Sequence, residues 1–137
     1  MLPVQVRRQI RLITLPMDDG DENAAMVNAL QRHATIIVQK SLAEGFGLTV
    51  AEGMWKAKAV VASAVGGIVD QMVRGTGVLL HDATDLEAFG DALVSLLDRP
   101  QEAARLGGNA RRHVLEGFVG DEHLMRYGAL IERLKAR

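Results

Sequence analysis

The sequence predicts an α/β fold, a parallel sheet of about four strands with helices on both faces. Three observations carry that expectation. Short apolar runs alternate with helix-like stretches along most of the chain. Two of the runs, ATIIVQ and AVVASA, are continuously apolar, as in strands covered on both faces. The last third reads as helix, with apolar residues recurring at helical spacing.

Taken in order, VQVRRQIRLITLP mixes β-branched and basic residues and closes on a proline that resists helix. Residues 8 to 15 are therefore expected as the first strand. In DDGDEN, Asp18, Asp19 and Asp21 suit the positive end of a helix, expected from about Glu22 to Arg32 with Met26, Val27 and Leu30 on one face. ATIIVQ is the second strand. LTVAEGMWKA follows as a helix despite Gly53, and AVVASA as another buried strand. Gly66 and Gly67 end that strand, IVDQMV is a short helix, RGTG a turn and GVLLHD the fourth strand. Leu86, Phe89, Leu93, Leu96 and Leu97 form one apolar stripe; Leu106, Ala110 and Val114 a second; Leu124, Tyr127, Ile131 and Leu134 a third. Pro100 separates the first two of these helices and GFVGD the last two. No repeat, low-complexity tract or linker interrupts the pattern, so residues 1 to 137 are expected as a single domain.

Composition narrows the function classes. With 48% hydrophobic residues among 137, the chain can bury a real core; aromatics are only 4%, so Val, Leu, Ile, Ala and Met must supply it. A net charge of −1 and a pI near 6.4 give no basic surplus for a nucleic-acid partner. The chain has no cysteine, which excludes disulfides, thiolate zinc sites and a cysteine nucleophile and fits a cytoplasmic protein. No apolar run approaches the roughly 20 residues of a membrane span, and MLPVQVRRQIRLITLP is not built as a signal peptide.

The stretch EGFGLTVAE, residues 44 to 52, carries the chemistry. In a parallel sheet, ligands bind beyond the carboxyl ends of the strands, and ATIIVQKS ends at the loop bearing Lys40, Ser41 and Glu44. A helix starting near Gly47 offers unpaired N–H groups and a positive dipole end, which suit a phosphate. Gly45 and Gly47 let the backbone approach a ligand closely. Glu44, just outside the helix, can accept hydrogen bonds from sugar hydroxyls, while Glu52, more than a turn further in, reaches another part of the same ligand. The plainer alternative makes Glu44 a cap and Glu52 a solvated helix position. Spacing alone leaves these two readings balanced.

The run QKSLAEGFGLTVAEGMWKAKAVVASAVGGIVDQM resembles the donor-binding region of retaining GT-B glycosyltransferases of the family 4 type, the group with a Glu-x7-Glu motif. The matching residues are Ser41, Glu44 to Leu48, Glu52, the strand after it and Gly66-Gly67-Ile68, followed by GTGVLLHDATDLEAFGDALVSLLDRP and RLGGNARRHV. Within that group the segment from LPMDDGDEN to AEGMWK is most similar to the trehalose synthase and trehalose phosphorylase branch. The resemblance implies a truncated Rossmann-like domain, the C-terminal half of a GT-B fold, with the amino-terminal domain and its acceptor site absent and Met1 falling inside the second domain. It implies transfer of glucose from a nucleoside-diphosphate glucose to glucose. Glu44 is then the catalytic-site carboxylate on the donor glucose hydroxyls. Gly45, Phe46, Gly47 and Leu48 meet sugar and phosphates, Thr49 lies beside the phosphate, and Glu52 holds the ribose. The loop after Leu15-Pro16 lies near the base. No metal or other cofactor is implied, because helix dipole and basic side chains stabilise the leaving phosphate. The Arg and Lys of the family pattern belong to a segment upstream of this chain, and Lys40 is not at a matching position. The alternative is a non-catalytic α/β module that binds nucleotide weakly or only self-associates. Lost strands leave a sheet edge or apolar face uncovered, so association into homo-oligomers is expected.

Other patterns have plainer readings. Asp19, Asp21 and Asn23 have calcium-loop spacing, but Ala24 and Leu30 stand where that loop needs Gly and Glu, so helix capping is preferred. His33, His81, His113 and His123 are scattered, and no pair has metal-binding helical spacing. Gly66-Gly67 fits a donor-contacting turn and a plain strand-to-helix turn about equally well. Trp55 is expected in the core rather than as a ligand platform, and Arg105, Arg111 and Arg112 on a solvated helix face.

Overall fold

The computed structural model describes residues 2–119 and 121–135, with the side chains of Glu122 and His123 also outside the described set. The readings of Met1, of Gly120 in GFVGD and of the His123 side chain fall outside the described residues. The chain forms two compact units, one up to Leu30 and one from Gln31 onward.

In the first unit, α1 (Val4–Arg7) is a single turn begun at Pro3, and residues 10–18 have no helix or strand. The strand expected over residues 8 to 15 is not formed. Its apolar residues are not packed as a strand's would be: Leu12 is 95% exposed and Ile13 62%. β-propensity is largely a preference for a paired, half-buried surface, and among the described residues this segment has no strand partner. Helix α2 (Gly20–His33), whose last three residues belong to the second unit, starts as its sequence demands: Asp19 Oδ1 accepts the N–H groups of Asp21 and Glu22 at 2.9 and 3.1 Å.

The second unit is an open parallel sheet flanked by helices, a Rossmann-like arrangement of the GT-B type. Strands β1 (Ile36–Gln39), β2 (Ala59–Ser63) and β3 (Val78–Leu80) lie in the order β1-β2-β3, with Val38 opposite Val61 and Ala62 opposite Leu79. Helix α3 (Leu48–Trp55) connects β1 to β2, and the short α4 (Ile68–Gln71) connects β2 to β3. Then come α5 (Leu86–Asp98), α6 (Pro100–Gly117) and α7 (Glu122–Lys135).

β2 is the central strand and all five of its residues are buried. Its side chains alternate between two apolar layers. Val60 and Ala62 pack with Ile37, Val50, Met54, Ile68, Ala110 and Val114; Ala59 and Val61 pack with Leu80, Leu96, Ala103 and Leu106. β1, expected to be covered on both faces, is an edge strand, and its Val38 is 39% exposed. Gly53 explains how α3 lies so close to the sheet: a Cβ there would sit 3.0 Å from Ile37 Cδ1 and 3.1 Å from Val60 Cγ2.

The stripe Leu106, Ala110 and Val114 is buried as expected, whereas in α5 only Leu96 is fully so. The α7 stripe is not buried, with Leu124, Tyr127, Ile131 and Leu134 between 49% and 71% exposed. Among the described residues no helix is long and apolar enough to cross a membrane.

Candidate functional site

Because the strands are parallel, the segments after β1 and β2 leave the sheet at the same end. They meet there. The Gly67 N–H donates to the Gly45 carbonyl at 2.9 Å. A Cβ on Gly66, whose φ is +52°, would lie 1.7 Å from the Glu44 carbonyl oxygen, and one on Gly67 would lie 2.8 Å from that of Gly45. Only glycine permits this approach, which makes the Gly66-Gly67 pair the seat of the EGFG loop rather than a simple end to the strand.

Helix α3 begins at Leu48, with Gly47 before it in the left-handed region at φ 87°. No side chain caps this end. The N–H groups of Phe46, Gly47, Leu48 and Thr49 have no hydrogen-bond partner among the described residues. An anion is the ligand such an end suits best, since the aligned peptide dipoles leave it partly positive.

Glu44 is held at this loop. Its Oε2 accepts from Gln39 Nε2 at 3.0 Å and from Ser41 Oγ at 3.4 Å, and its Oε1 from the Gly45 N–H at 3.1 Å. The carboxylate is therefore not a cap on the α3 N–H groups. Glu52, in the second turn of α3, accepts a hydrogen bond from Gln31 Nε2 at 2.6 Å. It also lines a cavity of about 770 Å³ with Phe46, Trp55, Val114, Phe118 and Arg126. The only Trp and two of the three Phe thus gather beside Glu52. Trp55 is correspondingly not a core residue: it is 39% exposed, with the Arg111 guanidinium 5.9 Å from its ring centre.

The cation nearest in sequence is turned elsewhere. Lys40 Nζ donates to the Ala83 carbonyl at 2.6 Å and lies 5.9 Å from the Phe89 ring centre. Arg105 pairs with Glu102 at 2.7 Å on an exposed face of α6, as its sequence position suggests.

Three glutamines that sequence reasoning passed over organise this site. Gln31 holds Glu52, Gln39 holds Glu44, and Gln71 Nε2 donates to the Phe46 carbonyl. One signal was available for Gln71, an amide in the otherwise apolar end of the short helix IVDQMV.

Residues 20–113 match the family described as glycosyl transferases group 1. Trehalose synthase from Pyrococcus horikoshii is 41% identical over 113 residues, 82% of this chain and 26% of that protein. Trehalose synthase from Thermococcus litoralis is 45% identical over 106 residues, 77% of this chain and 25% of that protein. The chain thus spans about a quarter of the length of these curated relatives. Among solved structures, sucrose-phosphate synthase from Thermosynechococcus elongatus superposes with a TM-score of 0.69 at 30% identity, covering 85% of this chain and 31% of that one. HepE from Anabaena, solved in complex with UDP-glucose, shares the fold with a TM-score of 0.65 at 20% identity, covering 81% of this chain and 30% of that one. With a family match over most of its length, two carboxylates flanking an open helix start, and the expected parallel sheet beneath them, the chain belongs to the group 1 glycosyltransferases.

Proposed function

We propose that the chain is the donor-binding portion of a retaining glucosyltransferase of the trehalose synthase type, taking a nucleoside-diphosphate glucose as donor and glucose as acceptor. The observation that carries this reading is the pairing of Glu44 and Glu52 on either side of the four N–H groups of residues 46–49, which have no partner among the described residues. In this reading Glu44 accepts hydrogen bonds from the donor glucose hydroxyls, and Gln39 and Ser41 fix its position. The N–H groups of Phe46, Gly47, Leu48 and Thr49 take the diphosphate oxygens. As the sugar–phosphate bond breaks, charge grows on the leaving oxygen, and prearranged donors stabilise that charge without having to reorganise. Glu52 takes the ribose hydroxyls. The names and identities of the trehalose synthases support the choice of glucose at both ends of the reaction.

A second reading, that the chain alone is a non-catalytic module, is favoured by Lys40. Its ammonium is engaged at Ala83, and the site has no other cation from its own loop. We infer that the parent protein is the transferase, completed by an amino-terminal domain carrying the acceptor site, and that this chain by itself binds donor without turning it over. A cytoplasmic location fits the absence of cysteine.

The test is calorimetric titration with ADP-, UDP- and GDP-glucose, on the native chain and on Glu52→Ala, beside an assay for trehalose formed from each donor and glucose. Binding that the substitution weakens supports the donor site and identifies the base. Trehalose made by the chain alone would overturn the second reading. No binding by folded protein would overturn the first.

A further inference from the structure

We propose that Gln71 is a positioning residue of the donor site, setting the orientation of the Phe46–Gly47 peptide so that the Gly47 N–H is presented to the donor. This rests on the donor-binding reading above. Gln71 is 2% exposed and lies on the buried side of α4 with Ile68 and the following Met72, while Val69 and Asp70 are exposed. Its Nε2 donates to the Phe46 carbonyl, and its Oε1 is buried with no partner among the described residues. A buried amide oxygen left unpaired opposes stability. Stability alone would favour an apolar side chain at this position. The amide must be explained by what its donor end does.

What it does follows from peptide geometry. In a trans peptide the C=O and N–H point in opposite directions. Holding the Phe46 carbonyl toward α4 therefore turns the Gly47 N–H away from α4. The Gly67 N–H does the same to the preceding peptide, binding the Gly45 carbonyl at 2.9 Å and turning the Phe46 N–H outward. The two turned-out N–H groups continue into those of Leu48 and Thr49, giving a run of four donors with no partner among the described residues.

The second peptide needs a lock because Gly47 is a glycine. Flipping the Phe46–Gly47 peptide chiefly changes ψ of residue 46 and φ of residue 47. Glycine accepts negative φ about as readily as the observed +87°, so sterics do not choose between the two forms. The bond from Gln71 chooses. A Cβ at Gly47 would lie 2.7 Å from Ile68 Cγ1, so the glycine is required by packing and the freedom it brings must be removed by other means.

The experiment uses the whole chain as Gln71→Met and Gln71→Leu, which remove the donor and keep an apolar side chain of similar size, with the exposed Val69→Ala as a neighbouring control. In ligand-free protein, nitrogen-15 NMR should show the Gln71 side-chain NH₂ protected from exchange with water. The Gly47 amide resonance should move in both Gln71 variants and stay in place in V69A. Titration with UDP-, ADP- and GDP-glucose should show affinity for the best donor falling about tenfold, the effect of one lost hydrogen bond, with the fold retained by circular dichroism. A rapidly exchanging Gln71 amide, or donor affinity within about twofold of the native chain in both variants, overturns the proposal. If the native chain binds none of the three sugars, it is the donor reading that fails. The NMR comparison then decides the orientation of the peptide by itself.

Discussion

Gln31 Nε2 and Glu52 Oε2 are 2.6 Å apart, so one oxygen of the second motif carboxylate is already engaged within the protein. The hydrogen bond fixes the rotamer of a side chain that would otherwise swing freely over the cavity beside Trp55. Gln31→Ala should weaken binding of the best nucleotide sugar by a few-fold through lost positioning. Glu52→Ala, which in the proposed donor site removes the ribose contact itself, should cost about tenfold or more. Trp55 is the only tryptophan and lines the same cavity, so its emission can follow both titrations. Equal losses in the two variants would argue that Glu52 does not touch the ligand.

Gly66→Ala should disable the site from below. Its Cβ would fall 1.7 Å from the Glu44 carbonyl oxygen, at a φ of +52° that alanine resists. The EGFG loop must lift away, with an expected stability loss of about 2 kcal/mol or more and a larger proportional loss of donor affinity. Thermal melts and titration of one preparation check this. A variant as stable as the native chain would show that the two loops do not meet as described.

Ala57→Gly should stabilise the protein. Ala57 follows the end of α3 with φ at +56°, and its N–H closes the helix on the Met54 carbonyl at 3.0 Å, a position that glycine usually fills. Relief of the left-handed penalty outweighs the added freedom of the unfolded chain, for a net gain of roughly 0.5 kcal/mol by denaturant titration. Destabilisation would mean that the alanine methyl group contributes packing worth more than the strain.

Asp82 should contribute to the acid limb of stability. The Thr84 hydroxyl, followed by the Thr84 N–H, holds its carboxyl below the ordinary 3.8. Because the folded value is depressed, the contribution is present above pH 3.8 and is lost as pH falls through the folded value. Asp82→Asn should therefore flatten the stability profile on the acid side of 3.8 relative to the native chain. Unchanged acid limbs in parallel melts would remove Asp82 from the account.

The exposed apolar stripe of α7 should make the chain self-associate. Leu124, Tyr127, Ile131 and Leu134 recur at three- and four-residue steps along one exposed face. Ile131→Glu should shift sedimentation toward monomer at concentrations where the native chain is larger. A native chain that remains monomeric at high concentration would contradict the expectation.

The elements that were legible in the sequence are those whose signal is local. AVVASA could be read as a buried strand because every one of its residues meets an apolar layer. Asp19 announced the start of α2 because a cap needs only its own next few N–H groups. Residues 8 to 15 carried a strand composition, but a strand exists only beside a partner, and composition does not reveal one. Trp55 misled in the same way, since aromatic bulk suits a core and a cavity wall equally well. Glu44 and Glu52 stood out through their fixed spacing in one segment. Their glutamine partners were harder to see: Gln31 lies 21 positions from Glu52, and Gln71 lies 25 from Phe46.

Helix α6 gives Ala103 and Leu106 to one apolar layer and Ala110 and Val114 to the other. A helix committed to a single layer can detach and leave the other side intact. Detaching α6 would open both sides of the sheet at once. The two layers are thereby coupled in unfolding as well as in space: loss of one draws away the helix that seals the other. Partial opening is discouraged beneath the EGFG loop, and α6, remote in sequence from EGFGLTVAE, becomes part of what keeps that loop in register.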